Sequence, residues 1–327
     1  MNKLFTIITL LFISNTAVFA SETKGVITTI QPINALVNAV IGNTGGSTLL
    51  IPSEVSPHEF KLKPSDVKTL QDGNIIFYIS NHLESSITKV FKNLPKNIKI
   101  VNLMEETGIN HLAIRDNEAW ERHDHHDDHD KHAKKDDDHD DHDKHAKKDD
   151  DHDDHEKEDD VHIWLDPDNA IKIIQKVNKE LSLLFPENSQ IYNKNATNIT
   201  NKITELKSEL KEELLSIKDK PYIVFHDAYQ YFEKVFGLNA VGSIALEDDV
   251  ATSPKQISYI RNKIIKSNVS CVFQEPQFDS KLVKTVVEGT DAKIGTLDPL
   301  GVDIANKKDF YLQLLRNMSK SLKECLG

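Results

Sequence analysis

The amino-acid sequence predicts an α/β protein with two (β/α) lobes, parallel-rich sheets and one long rigid helix between the lobes. Short apolar runs alternate with amphipathic helical stretches, an order typical of parallel βαβ units. The alternation occurs twice, and a stretch with few helix breakers separates the two series. We therefore divide the chain into an N-terminal lobe (21–186), a linker helix (187–218) and a C-terminal lobe (219–327).

In the N-terminal lobe, four predicted strands alternate with helices. Pro32 near the start of the first helix and Gly42 at its end are ordinary boundary signals. The last helix of this lobe is predicted from Pro167 to about Leu184. The predicted strands are GVITTI, STLLIP, NIIFYIS and KIVNLM, and the helices between them are PINALVNAVIG, PSDVKTLQDG and LESSITKVFKNL.

The linker is predicted as one helix because its apolar residues recur near helical spacing. A helix of roughly 30 residues would be about 45 Å long, enough to cross a two-lobe protein. The alternative is two helices with a break. The recurring apolar residues are Ile191, Ile199, Ile203, Leu206, Leu210 and Leu214.

In the C-terminal lobe the βα pattern resumes and ends in a long helix. In open parallel sheets, ligands bind at the carboxyl ends of the strands, so we expect the site in the cleft between the lobes. The segments, in order, are YIVFHDAY, YQYFEKVFG, LNAVGSIAL, SPKQISYIRNKIIKSN, VSCVFQEPQF, SKLVKTVVEG, AKIGTLDPLG and DFYLQLLRNMSKSLKECL.

The first 20 residues have the pattern of a secretory signal peptide. Lys3 precedes an apolar stretch, and Val18 and Ala20 are small residues at cleavage-site positions. No later stretch has the roughly 20 apolar residues of a membrane helix, so we expect a periplasmic protein that is not embedded in the membrane. In that oxidising compartment Cys271 and Cys325 should form a disulfide. The alternative is two buried free thiols.

An acidic, histidine-rich insert is predicted over residues 123–160. The motif HDDHDKHAKKDDD occurs twice in succession, and the insert holds 19 Asp and Glu against 7 Lys, a net of −12 that equals the net charge of the whole chain. The rest therefore sums to zero, which gives no case for nucleic acid. We expect the insert to be disordered and to bind metal weakly, or to be a solvated repeat without such a role. Its histidines are His123, His125, His126, His129, His132, His139, His142, His145, His152 and His155.

Three of the five remaining histidines fall where parallel strands should end: His58, His162 and His226. One histidine at a strand end is weak evidence, but three drawn from both lobes indicate a joint site. Three neutral imidazoles plus a carboxylate or water make a tetrahedral zinc site, although imidazole also suits copper and nickel. We interpret the other two, His82 and His111, as residues without a metal role.

Four acidic residues near these histidines differ in their expected roles. Asp298 is the best candidate for a fourth ligand because its LDP segment does not continue as a helix, and Glu59 is a weaker candidate. Asp166 precedes Pro167 and is expected to cap a helix. Glu275 is expected to be structural or to lie at the lobe interface.

Four segments in this order resemble the zinc-uptake solute-binding proteins: SPHEFKLKPSD, HIWLDP, FHDAYQYFEKVFGL and GTLDPLG. The resemblance runs from about Lys24 to the end and includes an acidic, histidine-rich insert before HIWL. It implies two lobes bridged by a rigid helix and zinc ligands at the three histidines. It also implies a fourth position taken by Asp298 or by water, and a Cys271–Cys325 disulfide. Pro57 stands where some zinc members carry an additional acid.

The resemblance further implies a protein that is not an enzyme. It would capture Zn²⁺ in the periplasm and deliver it, as a monomer, to the membrane permease and ATPase of an ABC importer. One alternative is a manganese- or iron-binding relative, but such relatives usually carry Glu where His226 stands. The others are a zinc storage or adhesion protein, and a zinc hydrolase. For the hydrolase we find no HExxH or comparable motif.

Overall fold

A computed structural model describes residues 21–115, 158–245, 253–305 and 308–327. The predicted signal peptide and the ten histidines of the insert lie outside these ranges. Within them no helix is both long and apolar enough to cross a membrane. The described residues form two four-stranded parallel sheets with helices packed around them, which confirms the predicted fold class.

The N-terminal sheet has the strand order β2-β1-β3-β4, and all its pairings are parallel. Gly42 ends the first helix with a φ of +62°, a backbone conformation that favours glycine. The strands are β1 (Thr23–Thr28), β2 (Gly45–Leu49), β3 (Ile75–Tyr78) and β4 (Lys99–Asn102), and the helices are α1 (Gln31–Ile41), α2 (Pro64–Gln71), α3 (Ser85–Phe91) and α4 (Pro167–Leu184).

One helix, α5 (Ser189–Leu214), links the lobes. It has 26 residues, a length of about 39 Å, and no break, so it is slightly shorter at both ends than predicted. It packs against α1, α4 and the C-terminal helix Phe310–Leu326. Its buried residues form a stripe at helical spacing, namely Tyr192, Ala196, Ile199, Ile203, Leu206, Leu210 and Leu214.

The C-terminal sheet repeats the topology of the first, with the parallel order β6-β5-β7-β8. Cys271 on β7 forms a disulfide with Cys325 on the last helix, as predicted. The strands are β5 (Tyr222–Val224), β6 (Ala240–Ser243), β7 (Cys271–Gln274) and β8 (Lys293–Thr296), and the helices are α6 (Gln230–Phe236), α7 (Pro254–Lys266), α8 (Lys281–Val287) and α9 (Phe310–Leu326).

The hydrophobic core is continuous across the two lobes. One cluster of buried side chains includes Val26 of β1, Leu206 of α5, Tyr222 of β5 and Leu315 of α9. The C-terminal helix α9 contacts both α5 and the N-terminal helix α1. Because interiors this closely packed resist deformation, the cleft walls are held by shared packing.

Candidate metal centre

Three histidine side chains converge in the cleft between the sheets. The Nε2 atom of His162 lies 3.3 Å from Nε2 of His58 and 3.4 Å from Nε2 of His226. Among the described residues these three form the one group whose ligand atoms all lie within 4.8 Å of one another. The side chains of His162 and His226 are buried, whereas that of His58 is exposed.

The two Nε2 separations that involve His162 match the edges of a tetrahedral metal site. Zinc binds imidazole nitrogen at about 2.0–2.1 Å, and a tetrahedron with bonds of that length has edges of about 3.3–3.4 Å. Three nitrogen ligands leave one position of such a tetrahedron for a fourth ligand. The side chains of Trp164, Phe278 and Leu300 line the same pocket and give it apolar walls.

Each buried histidine is oriented by a carboxylate on its other ring nitrogen. Nδ1 of His162 lies 2.7 Å from Oδ1 of Asp160, and Nδ1 of His226 lies 2.7 Å from Oε1 of Glu275. A carboxylate accepting from Nδ1–H sets the tautomer that leaves the Nε2 lone pair free for a metal and makes the imidazole a stronger donor. The two carboxylates also match the charge of a dication.

Asp160 is held between opposing electrostatic effects. Burial raises the pKa of its carboxyl to about 7, while the hydrogen bond from the His162 backbone N–H and the charge of Arg115 favour the ionised form. A cation bound at the His162 imidazole would add to those two influences. The carboxylate is therefore suited to a site whose occupant is positively charged.

The three histidines come from three kinds of local structure. His226 follows β5 by two residues, near the strand end as expected, and His58 lies in the loop between β2 and α2. The expectation of a strand end is wrong for His162. It precedes the 3-10 turn Ile163–Leu165, which leads into α4. Asp166 then caps α4 by accepting a 2.7 Å hydrogen bond from the Asp168 N–H, as predicted.

Asp298 is not part of the histidine group. Its oxygens accept hydrogen bonds from the backbone N–H groups of Leu300, Gly301 and Val302 and from Nε2 of Gln277. The carboxylate thus stabilises the turn that follows β8. This turn still forms one wall of the cleft, because Pro299 and Leu300 line the pocket. Glu59, the weaker candidate, is exposed next to His58 and is also outside the group.

Two residues of the site were not recognised from the sequence. Asp160 was assigned to the disordered insert, and that boundary is wrong for its last three residues. Asp159 pairs with Ala113 in an antiparallel bridge, and Asp160 is buried. Glu275 was expected to be structural or to lie at the lobe interface, and its direct contact with His226 was not predicted. The position of Asp160 two residues before a candidate ligand was the one local signal available.

The two remaining histidines have no part in the group. His111 pairs with Asp159 at 2.8 Å, and both side chains are about 40% exposed (40% and 41%). His82 is exposed in the turn before α3. The interpretation that neither histidine binds metal stays a prediction.

Comparison with known proteins identifies the family. Residues 26–325 match the model of the ZnuA family, described as zinc-uptake complex component A, periplasmic. The chain belongs to this family. The high-affinity zinc uptake system protein ZnuA of Brucella suis biovar 1 (strain 1330) is 42% identical over 311 residues, which are 94% of this chain and 93% of the relative.

More distant members of the zinc-uptake family show the same extent of match. The corresponding protein of Haemophilus ducreyi is 33% identical over 98% of each chain. A solved structure entitled "Crystal structure of ZnuA" is 21% identical and superposes with a TM-score of 0.73 over 94% of this chain and all of its own. That likeness supports the two-lobe fold, while family membership follows from the sequence matches.

Proposed function

We propose that this protein binds Zn²⁺ through His58, His162 and His226 in the periplasm and hands it to the permease of an ABC-type importer. The observation that carries the proposal is the convergence of the three histidines, with Nε2 of His162 at 3.3 Å and 3.4 Å from the other two Nε2 atoms, distances that match the edges of a zinc tetrahedron. Asp160 and Glu275 contact the Nδ1 atoms of the two buried histidines, as carboxylates ordinarily do beside the histidine ligands of zinc.

Water is the proposed fourth ligand. Asp298 already accepts three backbone hydrogen bonds, and bringing it to the metal would break the turn that it stabilises. An exposed water is also a ligand that a transport partner can displace when zinc is handed over. We also propose that the first 20 residues are removed, so that the mature chain begins at Ser21. The mature protein would be a monomer without catalytic activity.

The test is a zinc titration of three single variants, His58→Ala, His162→Ala and His226→Ala, in the full chain and in a chain lacking residues 116–157. Zinc binding at a structural four-ligand site contributes about 10–16 kcal/mol. Loss of one ligand should therefore remove roughly 3 kcal/mol, at least about a hundredfold in affinity. His82→Ala, at an exposed histidine in the turn before α3, is the matched control and should bind like the wild type.

Three outcomes would count against the proposal. If one of the three variants keeps wild-type affinity, that histidine is not a ligand. If tight binding disappears when residues 116–157 are removed, the insert holds the site. Turnover of a model ester or of CO₂ by the zinc-loaded protein would favour a hydrolase or hydratase instead.

A further inference from the structure

The polypeptide on either side of the insert forms a small two-stranded unit, which we call the insert root and define as residues 110–115 and 158–160. The Ile114 N–H donates to the Glu158 carbonyl at 2.9 Å, and the Asp160 N–H donates to the Leu112 carbonyl at 2.7 Å. Asp160, which orients His162, is therefore part of this unit. Displacement of the root would be transmitted to a proposed ligand.

The insert root also rests on helix α6 of the opposite lobe. The Tyr231 hydroxyl donates to the Asp160 carbonyl at 2.8 Å and accepts from the Leu112 N–H at 3.2 Å. Gln230 donates through Nε2 to the Ala113 carbonyl at 3.0 Å. The root therefore lies across the seam between the lobes, with His162 on one side and His226 on the other.

Arg115 makes the charged contacts of this seam. Its guanidinium donates to both carboxylate oxygens of Asp227, through Nε at 2.9 Å and through Nη2. A third bond, from Nη1, reaches Oε2 of Glu233 on α6 at 2.7 Å. The three side chains are only 20%, 13% and 5% exposed, so solvent screens these charges little.

Asp227 directly follows His226, so the position of its carboxylate constrains the backbone that carries a proposed ligand. A planar guanidinium bound at two points fixes the orientation of its partner as well as the distance. If Arg115 were removed, the largely buried carboxylates of Asp227 and Glu233 would lose the cation that lies between them, and Asp160 is also nearby. The 3.4 Å separation of the His162 and His226 Nε2 atoms depends on the relative position of the two lobes at this interface.

We infer that Arg115 is a positioning residue for the metal centre, which acts through Asp227 and Glu233 to hold His226 against His162. The inference rests on the proposed function. It predicts that loss of the Arg115 bonds to Asp227 and Glu233 speeds metal release and distorts the coordination geometry, although all three histidines are still present.

The experiment uses the full chain loaded with one equivalent of Co²⁺ or Zn²⁺. The visible Co²⁺ absorption bands report tetrahedral geometry, and transfer to an excess of chelator gives the Zn²⁺ dissociation rate. Arg115→Met should weaken or shift the Co²⁺ bands and speed dissociation by about tenfold or more, the scale seen for residues that orient metal ligands. Arg115→Lys, which cannot bind bidentately, should lie between Met and the wild type.

Arg316→Met is the matched control. It removes an arginine whose ion pair with Glu209 is half exposed (50% and 51%), and it should leave both readouts unchanged. If Arg115→Met does not fold, the triple variant Arg115→Met, Asp227→Asn, Glu233→Gln avoids unpaired buried charge and should show the same two changes.

A lower melting temperature with wild-type cobalt bands and release rate, in whichever variant folds, would overturn the inference and leave Arg115 a purely structural role. Failure of the proposed function would look different. In that case the wild-type chain would show no tetrahedral cobalt spectrum, or the spectrum would survive His162→Ala.

Discussion

The two lobes have the same strand order but hold their buried histidines in different ways. In the N-terminal lobe, His162 is oriented by Asp160, two residues earlier in the chain. In the C-terminal lobe, His226 follows β5 and is oriented by Glu275, which follows β7 and is 49 residues away. Strand β7 is in turn tied to the last helix by the Cys271–Cys325 disulfide. The carboxylate that orients His162 is therefore close to it in sequence, whereas the carboxylate that orients His226 is distant in sequence.

This difference shows where each half is vulnerable. A local carboxylate–histidine pair depends on a short turn and on the root that contains it. The long-range pair depends on the register of β5 against β7, and so on the stability of the whole C-terminal sheet. His58, an exposed side chain in the loop between β2 and α2, is the third histidine of the group.

Removal of the disulfide should have the largest effect and should fall mainly on the C-terminal half. The bond joins residues 54 apart in sequence, for which the loop-entropy relation gives about 4 kcal/mol of stability. We expect the Cys271→Ser, Cys325→Ser protein to lose roughly that much in denaturant unfolding. Hydrogen exchange should quicken in β5 and β7 before it does in β1 and β3. Equal loss of protection in both sheets would contradict the expectation that the disulfide mainly stabilises the C-terminal lobe.

The orienting carboxylates should have the next largest effect. Asp160→Asn and Glu275→Gln each keep an acceptor for the ring N–H but lose the charge, so each should weaken zinc binding by about 10- to 100-fold. Competition with a chelator of known affinity measures this.

Glu84→Gln is the control for these two variants. Glu84 is fully buried in the N-terminal lobe, where burial raises the pKa of its carboxyl to about 7, and it binds Thr29 and backbone N–H groups rather than a histidine. Its substitution should leave zinc affinity unchanged. Wild-type affinity in Asp160→Asn or Glu275→Gln would show that the ring is positioned by packing alone.

The smallest effect is expected from Asp298→Asn. The asparagine oxygen can still accept from the Leu300 and Gly301 N–H groups, while the bond from the Val302 N–H is lost. Water can still take the fourth position on the metal. Zinc affinity should therefore change by less than about threefold, far below the loss expected for a missing ligand. A hundredfold loss in the same titration would instead make Asp298 a direct ligand and give the C-terminal lobe a second contact with the metal.

The order of strands and helices and the three histidines could be predicted from the sequence, because each has a local signature. The disulfide was predicted from the compartment and from the presence of only two cysteines. Apolar runs with boundary signals predict strands and helices, and α4 ends at Leu184 as predicted. The apolar stripe of α5 predicted one helix, and its packing against α1, α4 and α9 shows why the stripe exists. Even so, the expectation of a strand end was wrong for His162, which precedes the 3-10 turn Ile163–Leu165.

The acidic residues that contact the histidine rings could be identified from the folded structure alone. Asp298 was predicted to be available to the metal, yet its carboxylate accepts hydrogen bonds from the backbone N–H groups of its own turn. Asp160 looked like the end of a charged repeat, yet burial and pairing with Leu112 bring it to His162. A carboxylate has the same local sequence signature whether it faces solvent, a backbone amide or an imidazole. Its role is set by which partner the fold brings within hydrogen-bond distance, and for Glu275 that partner is 49 residues away.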